Sequence, residues 1–250
     1  VYDGDIFKLE EHTSRFFHSA RRMGFEIPYS EKEINESSRK IVSAQNVKNG
    51  YVRPVAWRGS EMMAISAQQT KIHVAIATWE WGSYFDPKLK LEGIKLNISK
   101  WRRPAPNTIP WDTKAAGLYM ICTLPKHEAE KQGYTDSLML DHEGNVAEAT
   151  GANIFFKDKE GSLHTPVPDS FLNGITRRTI IEIATSKNIK VNERKIKPDE
   201  INNFTGCFLT GTAAEVTPVS QIDKFNFEVC NTIIELSESY QKTVRKKKAA

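Results

Sequence analysis

Four short stretches of the chain hold the residues best suited to chemistry. They are Thr113 to Tyr119, which contains Lys114; Asn145 to Ile154, which contains Glu148; Asn173-Gly-Ile-Thr-Arg177; and Thr210-Gly-Thr-Ala-Ala-Glu-Val-Thr-Pro218. A lysine amine can form a Schiff base with an aldehyde. A carboxylate can hold a ring cation, and N–H groups at a glycine turn or a helix start can cradle a phosphate. Ala115, Ala116 and Gly117 remove side-chain bulk beside Lys114 and leave room for a flat ring. A desolvated lysine there would lose proton affinity and become a usable nucleophile and base. Glu148 stands among small uncharged residues, so it is either an exposed hairpin glutamate or a carboxylate that needs a cation. The conjunction suits a phosphorylated aldehyde cofactor, and pyridoxal phosphate would act there as an electron sink.

The elements that must position these groups follow from periodicity and punctuation. Residues 11–24 carry Phe16, Phe17, Ala20 and Met23 on one helical face and end at Gly24. Ser30-Glu-Lys-Glu33 has the form of a capping box and predicts a second helix running to about Lys48. Strands are expected over 51–57 and 71–79, then a linker from Gly82 to Lys90, a strand over 93–100 and a proline-rich loop to Pro110. The helical pattern at 114–132 ends at Gly133; strands near 136–141 and 152–157 follow. A helix over 174–188, strands over 189–195 and 205–210, and a last helix over 227–244 complete the pattern. The expectation is an α+β chain with a small domain over 1–86, a linker over 87–92 and a larger domain over 93–250.

Bulk properties narrow the function classes. The chain has 250 residues, 39% hydrophobic and 26% charged, as in an ordinary globular protein. No apolar run approaches the ~20 residues that cross a bilayer, and no basic face with stacking aromatics suggests nucleic acid. The net charge of +4 gathers partly in Arg245-Lys-Lys-Lys248, read as a solvated helix end. Three cysteines without metal-like spacing fit a reducing, cytoplasmic compartment, and scattered histidines offer no metal pair.

The motifs as a set resemble the fold-type IV pyridoxal-phosphate aminotransferases, and most closely the branched-chain amino acid aminotransferases. The resemblance is carried by Glu11-His-Thr-Ser-Arg-Phe16, Tyr51-Val-Arg-Pro54, Trp81-Gly-Ser-Tyr84, Arg103-Pro-Ala-Pro-Asn-Thr-Ile-Pro110, Lys114 to Tyr119, Glu148 to Asn153, Gly174-Ile-Thr-Arg177 and Gly211-Thr-Ala-Ala-Glu215. They run in family order over nearly the whole chain.

The resemblance implies a small α/β domain and a larger pseudo-barrel domain that binds the cofactor. It makes Lys114 the Schiff-base lysine and proton carrier, Glu148 the partner of the pyridinium nitrogen and Tyr119 the partner of the ring's phenolate oxygen. Arg15, Ile175, Thr176 and Thr212 would hold the phosphate. Tyr51 and backbone N–H groups at Thr212 and Ala213 would meet the substrate carboxylate, and Arg53 the second carboxylate of glutamate. Residues two apart in a strand face one side, which suits the Tyr51–Arg53 pair. Trp81 and Tyr84, with Tyr119, would wall the pocket for branched side chains. The implied reaction moves the amino group of L-leucine, L-isoleucine or L-valine to 2-oxoglutarate, in a homodimer or higher homo-oligomer. The same lysine–glutamate core serves D-amino acid aminotransferases, R-selective amine transaminases and aminodeoxychorismate lyases, and a non-catalytic remnant of the fold is a further alternative. The family also implies additional strands ahead of Tyr2-Asp3-Gly4, and hence a natural chain longer than this one.

Overall fold

The computed structural model describes residues 1–82 and 87–245; the expectation for Tyr84 falls outside the described residues. The chain divides into two compact units. One comprises Val1–Gly82, Thr113–Ala115 and the chain from Val244 onward; the other comprises Ser83–Asp112 and Ala116–Thr243.

In the first unit, α1 (Leu9–Arg22) and α2 (Glu31–Ala44) precede an antiparallel hairpin of β1 (Gly50–Arg58) and β2 (Ile72–Glu80). The capping box forms as the sequence predicts: Ser30 Oγ accepts from Glu33 N at 3.2 Å, and Glu33 Oε2 accepts from Ser30 N at 2.7 Å. These bonds satisfy donors that would otherwise be orphaned at the helix start, and helix α2 ends four residues earlier than expected, at Ala44. The core of this unit is Phe17, Ala20, Ile27 and Ile34, against which Ala56, Val74 and Ile76 from one face of the hairpin pack. Alternation sends Tyr51, Arg53, Val55 and Trp57 to the opposite face.

The second unit opens with the short helix α3 (Pro87–Glu92), in the stretch that the sequence reads as linker. Proline suits the first helical position because its missing N–H has no partner there anyway. There follow β3 (Ile94–Arg102), a 3₁₀ turn (Ala116–Tyr119), α4 (Met120–Lys131), β4 (Asp136–Leu140), β5 (Val146–Ala149), β6 (Asn153–Lys157) and β7 (Leu163–Thr165). The chain continues through α5 (Ile175–Ser186), β8 (Val191–Glu193), a second 3₁₀ stretch (Pro198–Asn203), β9 (Gly206–Gly211), β10 (Glu215–Ile222), β11 (Phe225–Asn226) and α6 (Asn231–Val244). Strand β9 pairs with both β6 and β10, so β3, β4, β5, β6, β9 and β10 close into a ring. The interior includes Leu96, Leu138, Ile154, Phe156, Leu209 and Val219, all fully buried. Phe156 stacks on Phe204 with centroids 4.8 Å apart.

The helix expected over 114–132 is divided. Its first residues belong to the other compact unit, where the Lys114 N–H donates to Ser19 Oγ of α1 at 3.1 Å. Regular α-helix begins only at Met120, after Gly117, a residue that weakens helices. The sequence places no strand between 210 and 227, yet β10 forms there with Pro218 inside it and Glu215 at a φ of 53°. The expected helix over 227–244 begins at Asn231, since Phe227 is drawn into the core and its N–H donates to Ser220 O.

Candidate active site

In the first unit, Tyr51, Arg53 and Trp81 come together on the outer face of the hairpin. The Tyr51 ring lies 5.0 Å from Trp81 and 5.2 Å from Trp79, its direct cross-strand partner. The Arg53 guanidinium sits over both Tyr51 and Trp79, at 5.5 and 5.7 Å from their centroids. Aromatic faces attract such a cation and hold it in place. Sequence reasoning misses Trp79; its two-residue spacing from Trp81 is the signal that could have found it.

Helix α1 carries two further groups. Arg15 Nη2 lies 3.3 Å from His12 Nδ1. Ser19, four residues on and therefore on the same helical face, accepts the Lys114 N–H. The Lys114 side chain is exposed in this chain. Ser19 has no signal in the sequence.

In the second unit the site residues are organised by strand register. Glu148 of β5 is directly opposite Met139 of β4 and Asn153 of β6, and Asn153 is directly opposite Thr210 of β9. Paired residues share a face of the sheet, so Glu148, Asn153 and Thr210 form a lateral row. All three are buried, and the Thr210 hydroxyl has no hydrogen-bond partner among the described residues. The carboxylate of Glu148 accepts from Asn153 Nδ2 at 3.0 Å and lies 3.5 Å from Arg103 Nε. Of the two sequence readings, the one requiring a cation applies: the hairpin glutamate is buried and ion-paired.

Asn153 ties that carboxylate to the start of α5. Its Nδ2 also donates to Leu172 O at 3.0 Å, and its Oδ1 accepts from Gly174 N at 3.1 Å. A Cβ at Gly174 would lie 2.3 Å from that Oδ1, so only glycine fits. The helix therefore begins with Ile175 and Thr176 buried directly beyond the Asn153 amide. The N–H groups of a first helical turn lack carbonyl partners within the helix and favour an anion. Arg177, fully buried, braces the same turn through Asn173 Oδ1, Thr165 Oγ1, Pro166 O and Glu193. Thr212 and Ala213 lie in the turn joining β9 to β10, and Tyr119 lies in the 3₁₀ turn, 42% exposed.

Cys122 of α4 accepts from Arg103 Nη1 at 3.0 Å, and burial pushes its thiol up to about 11. All three cysteines are free thiols. Among the described residues no cluster of His, Cys, Asp and Glu could hold a metal, and no helix is long and apolar enough to cross a membrane. A buried carboxylate, an unpartnered hydroxyl and a glycine-led helix start fit a ligand that carries both a ring cation and a phosphate.

The class IV amino-transferase family model matches residues 1–222. A probable branched-chain-amino-acid aminotransferase of Rickettsia conorii is 41% identical over 250 residues, covering 98% of this chain and 84% of the relative. The fold is similar to that of a T.th. branched-chain amino acid aminotransferase with pyridoxamine 5'-phosphate, with a TM-score of 0.92 and 34% identity over 96% of this chain and 80% of that one. The same enzyme complexed with N-(5'-phosphopyridoxyl)-L-glutamate matches with a TM-score of 0.90 and 33% identity, over 96% and 79% of the two chains. On likeness of this extent, the protein belongs to the class IV aminotransferases, in the branched-chain group of fold type IV.

Proposed function

We propose that this enzyme uses pyridoxal 5'-phosphate to transfer the amino group of L-leucine, L-isoleucine or L-valine to 2-oxoglutarate. The observation that carries the reading is the buried Glu148 carboxylate, linked through one asparagine to a glycine-led helix start. That pairing supplies a counter-charge for a ring nitrogen and donors for a phosphate. When bound, the cofactor supplies an electron sink for the bond being broken at the substrate's Cα.

Lys114 would attach the cofactor and would move the proton at the substrate's Cα. Arg15 with Thr176, Thr212 and the Ile175 N–H would hold the phosphate, while Tyr119 would donate to the ring's phenolate oxygen. Tyr51, with the N–H groups of Thr212 and Ala213, would orient the substrate carboxylate, and Trp81 would shield its side chain from water. Arg53, whose guanidinium lies over Tyr51 and Trp79, would receive the second carboxylate of glutamate. The glutamate adduct of the similar T.th. enzyme supports 2-oxoglutarate as acceptor. We extend the proposal to a cytoplasmic homodimer. The free thiols support that compartment. The dimer is supported by Val55 and Trp57, 43% and 45% exposed on the outer face of the hairpin.

The test is Lys114→Ala together with a substrate comparison. The variant is expected to lose turnover and the visible band of lysine-bound cofactor. The wild type is expected to turn over L-leucine with 2-oxoglutarate and to leave D-alanine untouched. A Lys114→Ala protein that keeps band and turnover refutes the assignment of the lysine, and preference for D-alanine refutes the substrate class.

A further inference from the structure

Arg103 places a buried positive charge against Glu148 without a hydrogen bond between the two. It follows β3 directly and is 4% exposed. Its backbone N–H donates to Leu140 O at 2.8 Å, which fixes where the side chain starts. From there the guanidinium reaches Glu148 of β5, with Nε 3.5 Å from Oε1. That nitrogen is buried and makes no hydrogen bond among the described residues, so what it offers Glu148 is charge. On its other side the guanidinium donates through Nη1 to the Cys122 thiol, which burial keeps neutral at physiological pH. Asp136, the other acid acting on Cys122, is itself buried and pushed upward by burial, against the pull of Lys126.

A buried cation is costly unless its charge is answered. A fixed positive charge beside a carboxylate favours the ionised form and weakens its hold on a proton. A proton shared between such a carboxylate and a ring nitrogen then stays on the nitrogen. We infer that Arg103 is a positioning residue that keeps Glu148 ionised, so that a pyridine nitrogen facing Glu148 retains its proton. This rests on the proposed placement of Glu148 against the cofactor ring. Arg103 then acts through Glu148.

The experiment is nitrogen NMR on holoenzyme loaded with pyridoxal phosphate labelled at the ring nitrogen, whose shift reports protonation directly. In the wild type the protonated shift is expected. In Arg103→Met it is expected to move to the unprotonated position, with cofactor bound at least tenfold more weakly. An Arg103→Met protein that keeps the protonated shift overturns the inference. Glu148→Gln separates the two readings: if its ring nitrogen stays protonated, the placement of Glu148 fails, whatever Arg103 does. Should Arg103→Met not fold, the cofactor-free wild type decides. Its infrared spectrum minus that of Glu148→Gln is expected to show no protonated carboxyl at about pH 6, a little above the ordinary glutamate range. A protonated carboxyl band there overturns the inference.

Discussion

Replacing Asn153 by aspartate changes one NH₂ group to an oxygen and tests the centre of the site at nearly constant volume. In the wild type Asn153 Nδ2 donates to Glu148 Oε2 and to Leu172 O, both at 3.0 Å. The variant loses both donations and sets a second carboxylate about 3 Å from the first. At an effective dielectric of ~20, two unit charges at that distance repel by about 5 kcal/mol. Leaving the Leu172 carbonyl without its donor adds about 1–3 kcal/mol. The pair escapes part of the repulsion by keeping one proton, and Arg103 offsets another part. The expected net loss is therefore about 3–5 kcal/mol at pH 7, read from urea unfolding.

The sign with pH is fixed by the same argument. One carboxyl of the pair is raised above its unfolded value, so its contribution to stability is full at low pH and is lost as pH rises. The gap between Asn153→Asp and the wild type should narrow between pH 7 and about pH 5. Asn153→Ala removes these bonds and also the acceptor for the Gly174 N–H, but adds no charge, so its gap should change far less over that window. An Asn153→Asp protein within about 1 kcal/mol of wild type at pH 7, or one whose gap does not move with pH, would refute the reasoning.

Two further perturbations probe the supports of the site. Gly174→Ala puts a Cβ 2.3 Å from the Oδ1 of Asn153, whose side-chain amide is held by three hydrogen bonds. It should cost about 1–3 kcal/mol in thermal unfolding and weaken binding of pyridoxal phosphate, and unchanged affinity would show that the helix start is not used. Asp136 is raised mainly by burial, while Thr150 Oγ and Ser137 N both donate to its Oδ1. Asp136→Asn keeps that acceptor without the charge. Because the folded-state value is raised, the wild type loses stability as pH rises, so the variant should unfold at a higher temperature at pH 7 and lose this advantage toward acid. A variant less stable than wild type at pH 7 would show that the ionised form is needed.

Local signals decide much of this protein in advance. The Ser30–Glu33 box forms because both partners sit within one turn, and Tyr51 and Arg53 share a face because strand geometry leaves no alternative. The isolation of Glu148 among small residues announces a need for a cation, since a carboxylate in such surroundings cannot be left alone. The same local reading fails where distant parts of the chain compete. Lys114 looks like a helix start, yet regular α-helix begins only at Met120, and the Lys114 N–H donates to Ser19, 95 residues earlier. Pro218 argues against a strand, yet pairing with Phe208 places it in β10.

Which cation answers Glu148 is not written near it. Arg103 stands 45 residues away in sequence, and the closed ring of strands brings β3 within one strand of β5. Asn153 is visible in the sequence only as the end of a motif; its threefold bonding to Glu148, Leu172 and Gly174 depends on the turn between β5 and β6 and on where α5 starts. Residue types fix what each group can do, because charge, bond-forming capacity and backbone freedom travel with the side chain. Which group meets which, and how deeply each is withdrawn from water, is decided by tertiary structure, since burial and pairing belong to the closed sheet and not to any one segment of the chain.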